Sequence, residues 1–122
     1  MSGLAFEEFK KTELRTAKIL DVQEIPGADR LWKLLIDVGT EKKEIVAGIK
    51  QFYSREQLIG RSVIIVNNLT PSMIRGVESR GMLLAASAPV PPPAGQVPGA
   101  KEEKRLVLLG LDQDLPPGSV VG

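Results

Sequence analysis

The sequence has no cysteine, no histidine and few aromatic residues. Without cysteine there is no disulfide framework and no thiolate chemistry, which fits a reducing compartment. Without histidine, the usual general base at neutral pH and the commonest metal ligand are both missing, which argues against a zinc site. Only three Phe, one Tyr and one Trp are present, so platforms on which bases could stack are scarce.

The length and charge point to a small single-domain protein. A chain of 122 residues predicts one domain over residues 1–122, large enough to bury a core without cross-links. The first residues, "MSGLAFEEFKK", show no signal-peptide pattern, and no apolar run reaches membrane-spanning length. We therefore expect a soluble cytoplasmic protein without a membrane partner. The formal net charge of +1 means that a polyanion would have to be held by a local basic cluster.

Apolar alternation and turn residues predict five to six strands, with one short helix between the third and fourth. The helix is expected over Ser54–Ile59, where Ser54 and Gln57 resemble a capping box and Gly60 ends the segment. A further helical turn is expected in "FEEFKK". The strands are read in "LRTAKILDVQEI", "RLWKLLIDVG", "KEIVAG", "RSVIIVNN", "MLLAAS" and "RLVLLGL". Residues 88–104 are rich in Pro and Gly and then charged, which predicts an insert loop.

This order of elements fits an all-β fold, the OB-fold: a five-stranded Greek-key barrel with a short helix between strands 3 and 4, here with terminal extensions. Such barrels bind ligands on the face of strands 2 and 3 and in the loops between strands 1 and 2 and strands 4 and 5. The segment "NNLTPSMIRGVESRGMLLAA", residues 67–86, would contain the loop between strands 4 and 5. It is longer than a plain turn, and its polar groups lie between glycines.

Three segments resemble the tRNA-binding domain family in the same order. They are "ELRTAKILDVQEIPGADRLWKLLIDVG", "EIVAGIKQFYSREQLIGRSVIIVNNL" and "IRGVESRGMLLAA". The resemblance is close from Phe6 to Ala86 and loose in the last strand. It implies an OB-fold that recognises the shape of tRNA, in free-standing members as a homodimer. It also implies a link to methionyl-tRNA synthetase, whose C-terminal extension is such a domain.

The candidate tRNA-binding residues combine basic and polar side chains near the expected face and loops. Asn68 can cap the loop or bind a base or ribose, and Ser79 can donate to a phosphate or satisfy loop backbone. Met82 is either the first core residue of its strand or an exposed contact for an unstacked base. The full set is Arg30, Lys33, Lys50, Asn68, Arg75, Ser79, Arg80 and Met82.

Other residues have simpler interpretations. Lys42 and Lys43, beside glutamates in a predicted turn, are interpreted as solvated charges. Trp32 shares an apolar strand face and is predicted to be core. Glu78 is expected to pair with Arg75 or Arg80.

One departure from the family leaves a second function open. The family often places two or three basic residues after "NL", whereas "TPSMIR" has Arg75 alone. A sister branch of the same fold, the CsaA export-related chaperones, resembles this chain in length and order and would imply a peptide-binding dimer. The segment "GVESRGMLLAA" favours the tRNA branch.

No residues are arranged for catalysis. There is no nucleophile-elbow motif and no phosphate-binding loop that opens a helix, so we expect neither an enzyme nor a cofactor or metal site. Apolar residues near both ends, in "LVLLGL" and "SVVG" and at Leu4 and Phe6, either close a monomeric barrel or form a homodimer. The expected partners are tRNA, a second copy of the chain and an aminoacyl-tRNA synthetase.

Overall fold

The computed structural model describes residues 3–90 and 103–122, which contain two one-turn helices and ten strands. The helices are α1 Phe6–Phe9 and α2 Arg55–Leu58. The strands are β1 Leu14–Glu24, β2 Trp32–Asp37, β3 Lys42–Ala47, β4 Ser62–Val66, β5 Ser72–Ile74, β6 Val77–Ser79, β7 Met82–Leu83, β8 Ala85–Val90, β9 Glu103–Leu108 and β10 Val120–Val121. Among these residues, neither helix is long and apolar enough to cross a membrane.

One curled antiparallel sheet, in the order β3-β2-β1-β4-β7, forms the body of the fold. The start of β1 pairs with β10, and its later residues pair with β2. The sheet curls until the segment before β7 reaches β3, where the N–H of Arg80 donates to the carbonyl of Glu44 at 3.0 Å. This arrangement, with α2 between β3 and β4, confirms the predicted OB-fold.

Strict alternation on β2 builds much of the core. Trp32, Leu34 and Ile36 point inward and are buried, and Val38 continues the same face beyond the strand. The indole N–H of Trp32 donates to the carbonyl of Tyr53 at 2.9 Å, so its one polar group is satisfied. The predicted core position of Trp32 is confirmed.

The helix α2 forms where the sequence predicts it and closes one side of the barrel. Ser54 accepts a hydrogen bond from the N–H of Gln57, whose side chain in turn accepts from the N–H of Ser54. This capping box fixes the start of the helix. Leu58, on the inner face, is fully buried, while Arg55 pairs with Asp21 of β1 at 3.0 Å.

The predicted insert loop over residues 88–104 is wrong at both ends. Residues 88–90 belong to β8 and residues 103–104 to β9, and the two strands form an antiparallel hairpin. Pro89 is tolerated because a two-stranded sheet has only edge strands, in which a missing N–H need not break a ladder. Residues 91–102 of the predicted loop lie outside the described residues. The predicted strand "MLLAAS" is divided between β7 and β8.

A buried lysine joins β3 to the end of β4. Lys43 is only 6% exposed and its Nζ donates to the carbonyl of Asn67 at 2.9 Å. Its interpretation as a solvated charge is wrong, because Lys43 shares the inward face of β3 with Ile45 and Ala47. Removal from water lowers the pKa of Lys43 below its ordinary value.

The segment before β10 packs against the barrel through backbone contacts. The N–H of Gly118 donates to the carbonyl of Thr16 at 2.8 Å, and the hydroxyl of Thr16 donates to the carbonyl of Pro116 at 3.0 Å. Gly118 has a φ of 86°, and a Cβ there would lie 2.4 Å from the carbonyl oxygen of Val38. Only glycine therefore fits this approach.

We expect Gly118→Ala to destabilise the protein much more than Gly27→Ala. Both glycines have positive φ, which costs an L-residue about 1–2 kcal/mol, but a Cβ at Gly27 would meet nothing within 4 Å. The clash at Gly118 adds about 1–3 kcal/mol of overpacking. Urea unfolding of the two variants measures the difference, and equal losses would contradict the tight contact.

We also expect a pH-dependent contribution from Lys43. Between its lowered native pKa and the ordinary value of 10.5, the unfolded chain binds more protons than the native one, so the free energy of unfolding rises with pH. The stability of the wild type relative to Lys43→Met should therefore increase as the pH is raised toward 10.5. Unfolding in urea at several pH values measures it.

Lys42→Met, the same change at an exposed neighbouring position, is the matched control for the substitution itself. A flat or falling difference for Lys43→Met would show that the native state does not disfavour the charged lysine.

Candidate nucleic-acid interface

The outer face of the β2–β3 hairpin carries alternating charges. Because inward positions alternate with outward ones, Lys33 on β2 and Lys42 and Glu44 on β3 point away from the core. The Nζ of Lys33 lies 3.5 Å from Glu44 Oε2. This is the face on which OB-folds bind their ligands, between the loop joining strands 1 and 2 and the loop joining strands 4 and 5.

The long segment between β4 and β7 contains a hairpin of its own. Strands β5 and β6 pair around the two-residue turn Arg75-Gly76, in which both residues have positive φ, 51° and 80°. Two positive φ values are the pattern of a type I′ turn, whose first position favours Asn, Asp or Gly. Arg75 is the one non-glycine residue with positive φ in residues 3–90 and 103–122. Such strain in an exposed residue suggests a function.

The base of this hairpin is attached to β3. The N–H of Val46 donates to Ser79 Oγ at 2.9 Å, and the hydroxyl of Ser79 donates to the carbonyl of Gly81 at 3.3 Å. Ser79 is 4% exposed, so its hydroxyl serves the backbone, which was one of its two expected roles. The neighbouring Arg80 extends outward and pairs with Glu41 at 3.1 Å. Glu78 forms no ion pair with Arg75 or Arg80 among the described residues, so its expected pairing is wrong.

The amide of Asn68 is also engaged by the protein. Its Oδ1 accepts from the N–H of Glu13 at 2.9 Å, and its Nδ2 donates to the carbonyl of Lys11 at 2.6 Å. These bonds tie the segment before β1 to the end of β4. The amide is therefore used within the protein, although its partners lie in the segment before β1 and not in the loop that Asn68 was expected to cap.

The loop between β1 and β2 places Arg30 and Lys50 together. The N–H of Lys50 donates to the carbonyl of Arg30 at 3.2 Å, while the Arg30 side chain is exposed. The Nζ of Lys50 lies 3.2 Å from Glu24 Oε1 and 4.9 Å from the centre of the Trp32 ring. The ion pair and the cation–π contact hold this ammonium group in one place.

An apolar groove borders the same face. Met82 is 48% exposed, so its interpretation as a core residue is wrong and the exposed alternative remains. It lines a groove of about 350 Å³ with apolar residues of β3, β7, β8 and β9, among them Val46 and Leu106. Val46, which lines the groove, lies opposite Lys33 of the charged face in the β2–β3 pairing. The groove and the charged face are therefore neighbours.

The structure thus separates the candidate residues into two groups. One group uses its polar atoms within the protein and consists of Ser79 and Asn68. The other group presents side-chain surface to the outside and consists of Arg30, Lys33, Lys50, Arg75, Arg80 and Met82. Sequence reasoning missed the glutamates that pair with three of the cations. Alternation places Glu44 beside Lys33 on one face, but the pairs of Lys50 with Glu24 and of Arg80 with Glu41 depend on the folded chain.

Solved structures share the whole fold. The chain matches the crystal structure of a MetRS related protein from Pyrococcus horikoshii with a TM-score of 0.82 and 29% identity, covering 100% of both chains. It also matches the chaperone CsaA from Bacillus anthracis with a TM-score of 0.76 and 29% identity, covering 99% of this chain and 100% of that one.

Curated relatives are methionine–tRNA ligases. The ligase of Methanococcus aeolicus is 39% identical over 121 residues, which are 99% of this chain and 16% of the ligase. The ligase of Pyrococcus furiosus is 51% identical over 86 residues, which are 70% of this chain and 12% of the ligase. The chain therefore spans less than a fifth of the length of these relatives.

A family model agrees with the fold and the relatives. The model described as "Putative tRNA binding domain" matches residues 14–120, from the start of β1 into β10. This match covers the barrel, the β5–β6 hairpin and the charged face described above. The chain belongs to the tRNA-binding domain family.

Proposed function

We propose that the chain is a non-catalytic module that recognises the shape of tRNA through the outer face of β2–β3 and the β5–β6 hairpin. The observation that carries the proposal is the projection of Arg75 from a turn that disfavours arginine, next to a face with several cations. A guanidinium group held outside the barrel is suited to phosphate oxygens.

The aromatic residues support recognition of a folded RNA by its backbone. Trp32 is buried, and Phe52 and Tyr53 are partly buried near α2. Exposed Phe6 and Phe9 lie on α1, outside the β2–β3 face. A surface with few stacking platforms suits contacts to phosphates and 2′-hydroxyl groups better than binding of unstacked bases.

The relatives suggest where such a module acts. We propose that it increases the supply of tRNA to methionyl-tRNA synthetase in the cytoplasm, supported by the similarity to part of several methionine–tRNA ligases.

We expect Arg75→Asn combined with Arg80→Gln to weaken binding of mixed tRNA without unfolding the protein. Asn is favoured at the first position of a type I′ turn, so the hairpin keeps its geometry while the charge is lost. If each arginine contacts one phosphate, the slope of log affinity against log salt should decrease in magnitude by about 2. Titrations at several salt concentrations measure both effects.

The control for this experiment is Arg61→Gln, which removes an exposed charge just before β4, whereas the β5–β6 hairpin follows the end of that strand. The Cζ atom of Arg61 lies 5.0 Å from the centre of the Tyr53 ring. Unchanged binding by the double variant would contradict the site. Equal affinity of the wild type for tRNA and for single-stranded RNA of the same length would contradict shape recognition.

One observation favours peptide binding as a second candidate function. The apolar groove beside Met82 could accept side chains of an extended peptide, and the chaperone CsaA from Bacillus anthracis shares the fold. Suppression of aggregation of an unfolded protein, together with no shift of tRNA in a gel, would favour this function over the first.

We propose that the functional form is a homodimer. Apolar side chains near both ends of the chain are strongly exposed, with Leu4 at 73%, Phe6 at 67% and Val120 at 76%. Covering such groups is favourable, and two linked binding faces raise the affinity for one large ligand.

We expect sedimentation to give twice the mass of 13.2 kDa for the wild type. Val120→Lys should shift it to the monomer because a charge would be buried at the interface. Gln113→Lys, which adds the same charge at another exposed position, should leave the dimer intact. A monomeric wild type would contradict the proposal.

A further inference from the structure

Three of the proposed RNA-contacting cations are each paired with a glutamate. Lys33 pairs with Glu44 at 3.5 Å, Lys50 with Glu24 at 3.2 Å and Arg80 with Glu41 at 3.1 Å. By contrast, Arg30 and Arg75 have no acidic partner within 4.0 Å in the part of the chain that the structure describes.

These pairs contribute little to the stability of the barrel. The three glutamate side chains are 47–74% exposed, and ion pairs in contact with water add little to folding. None of the three carboxylates accepts a hydrogen bond from a backbone N–H among the described residues. Their main effect is therefore on the electrostatic potential around the cations with which they pair.

The pairs have two effects on an approaching phosphate, one on the charge that it meets and one on the position of the cation. Each carboxylate neutralises its cation and repels an approaching phosphate, so the face attracts a polyanion weakly. Each pair also fixes a cation in position, most clearly Lys50, which is held between Glu24 and the ring of Trp32. At Lys50 the contact with the Trp32 ring remains when the carboxylate is displaced, so a phosphate there meets a cation that is still held on one side.

We propose that Glu24, Glu41 and Glu44 are specificity-determining residues that suppress binding of generic polyanions. This inference rests on the proposed function. A ligand must displace the three carboxylates, and a folded RNA with phosphates at fixed positions can do so at several cations together. A flexible single strand must in addition lose conformational freedom to reach the same positions, so it gains less from the paired cations.

Removal of the three carboxylates should affect the two kinds of ligand differently. A flexible strand, which leaves the paired cations largely unused in the wild type, gains their whole attraction when the carboxylates are removed, whereas folded RNA already binds these cations and gains only the cost of displacing the carboxylates. The variant Glu24→Gln, Glu41→Gln, Glu44→Gln should bind polyuridine of tRNA length about tenfold more tightly, in the range expected for a change in local field. Its affinity for mixed tRNA should rise only about two- to threefold. The preference for tRNA therefore falls.

The matched control changes the net charge equally at a distance from the face. Glu56→Gln, Asp112→Asn and Asp114→Asn remove three exposed carboxylates from α2 and from the segment after β9. This control should alter both affinities less than about twofold, because none of the three carboxylates forms an ion pair with a proposed RNA-contacting cation in the described residues, and exposed charges are screened at physiological salt. Thermal unfolding checks that both triple variants are folded.

The outcomes separate this inference from the proposed function. A wild type that does not bind tRNA contradicts the proposed function, and the polyuridine measurements still test the glutamates. An unchanged ratio of tRNA to polyuridine affinity in the first triple variant overturns the inference. A loss of tRNA affinity in the same variant also overturns it, because the carboxylates would then bind RNA themselves. An effect of the control variant equal to that of the first triple variant overturns it as well.

Discussion

The closure of the barrel along β3 is the interaction on which the candidate site depends. The N–H of Arg80 donates to the carbonyl of Glu44, and the N–H of Val46 donates to Ser79 Oγ. Both bonds involve the backbone of β3, so they hold the β5–β6 hairpin beside the outward side chains of that strand. The position of Arg75 relative to the charged face is therefore set by the sheet.

Strand β3 also places charges of both signs on the outer face of a chain whose net charge is +1. Inward positions of β3 are used for Ile45 and, at the end of the barrel, for the ammonium group of Lys43. Outward positions carry exposed charges of both signs. Because the glutamates lie among the cations, the electrostatic potential of this face depends on which ion pairs are formed. The net charge of the chain alone does not describe that potential.

Patterns within a few residues were sufficient to predict the barrel. Alternation on β2 and the Ser54 capping box are local, and both were confirmed together with the fold. The role of Ser79 depends on Val46, 33 residues earlier, and the bonds of Asn68 reach back 55 and 57 residues. Such partners cannot be inferred from one segment, so the sequence leaves two roles open for each of these residues. Lys43 could have been found, since its alternation with Ile45 marks an inward position.

The conformation of Arg75 bears on the choice between RNA and peptide as ligand. A type I′ turn with Asn-Gly would close the β5–β6 hairpin with less strain, so the arginine is not needed for the fold. The apolar groove, in contrast, is formed by residues that the barrel needs in any case, among them Ala47 and Leu106, which belong to the core or pack against it. A feature that costs stability calls for an explanation outside the fold, and a phosphate ligand provides one for Arg75. The groove requires no such explanation, which is why RNA binding is the stronger proposal.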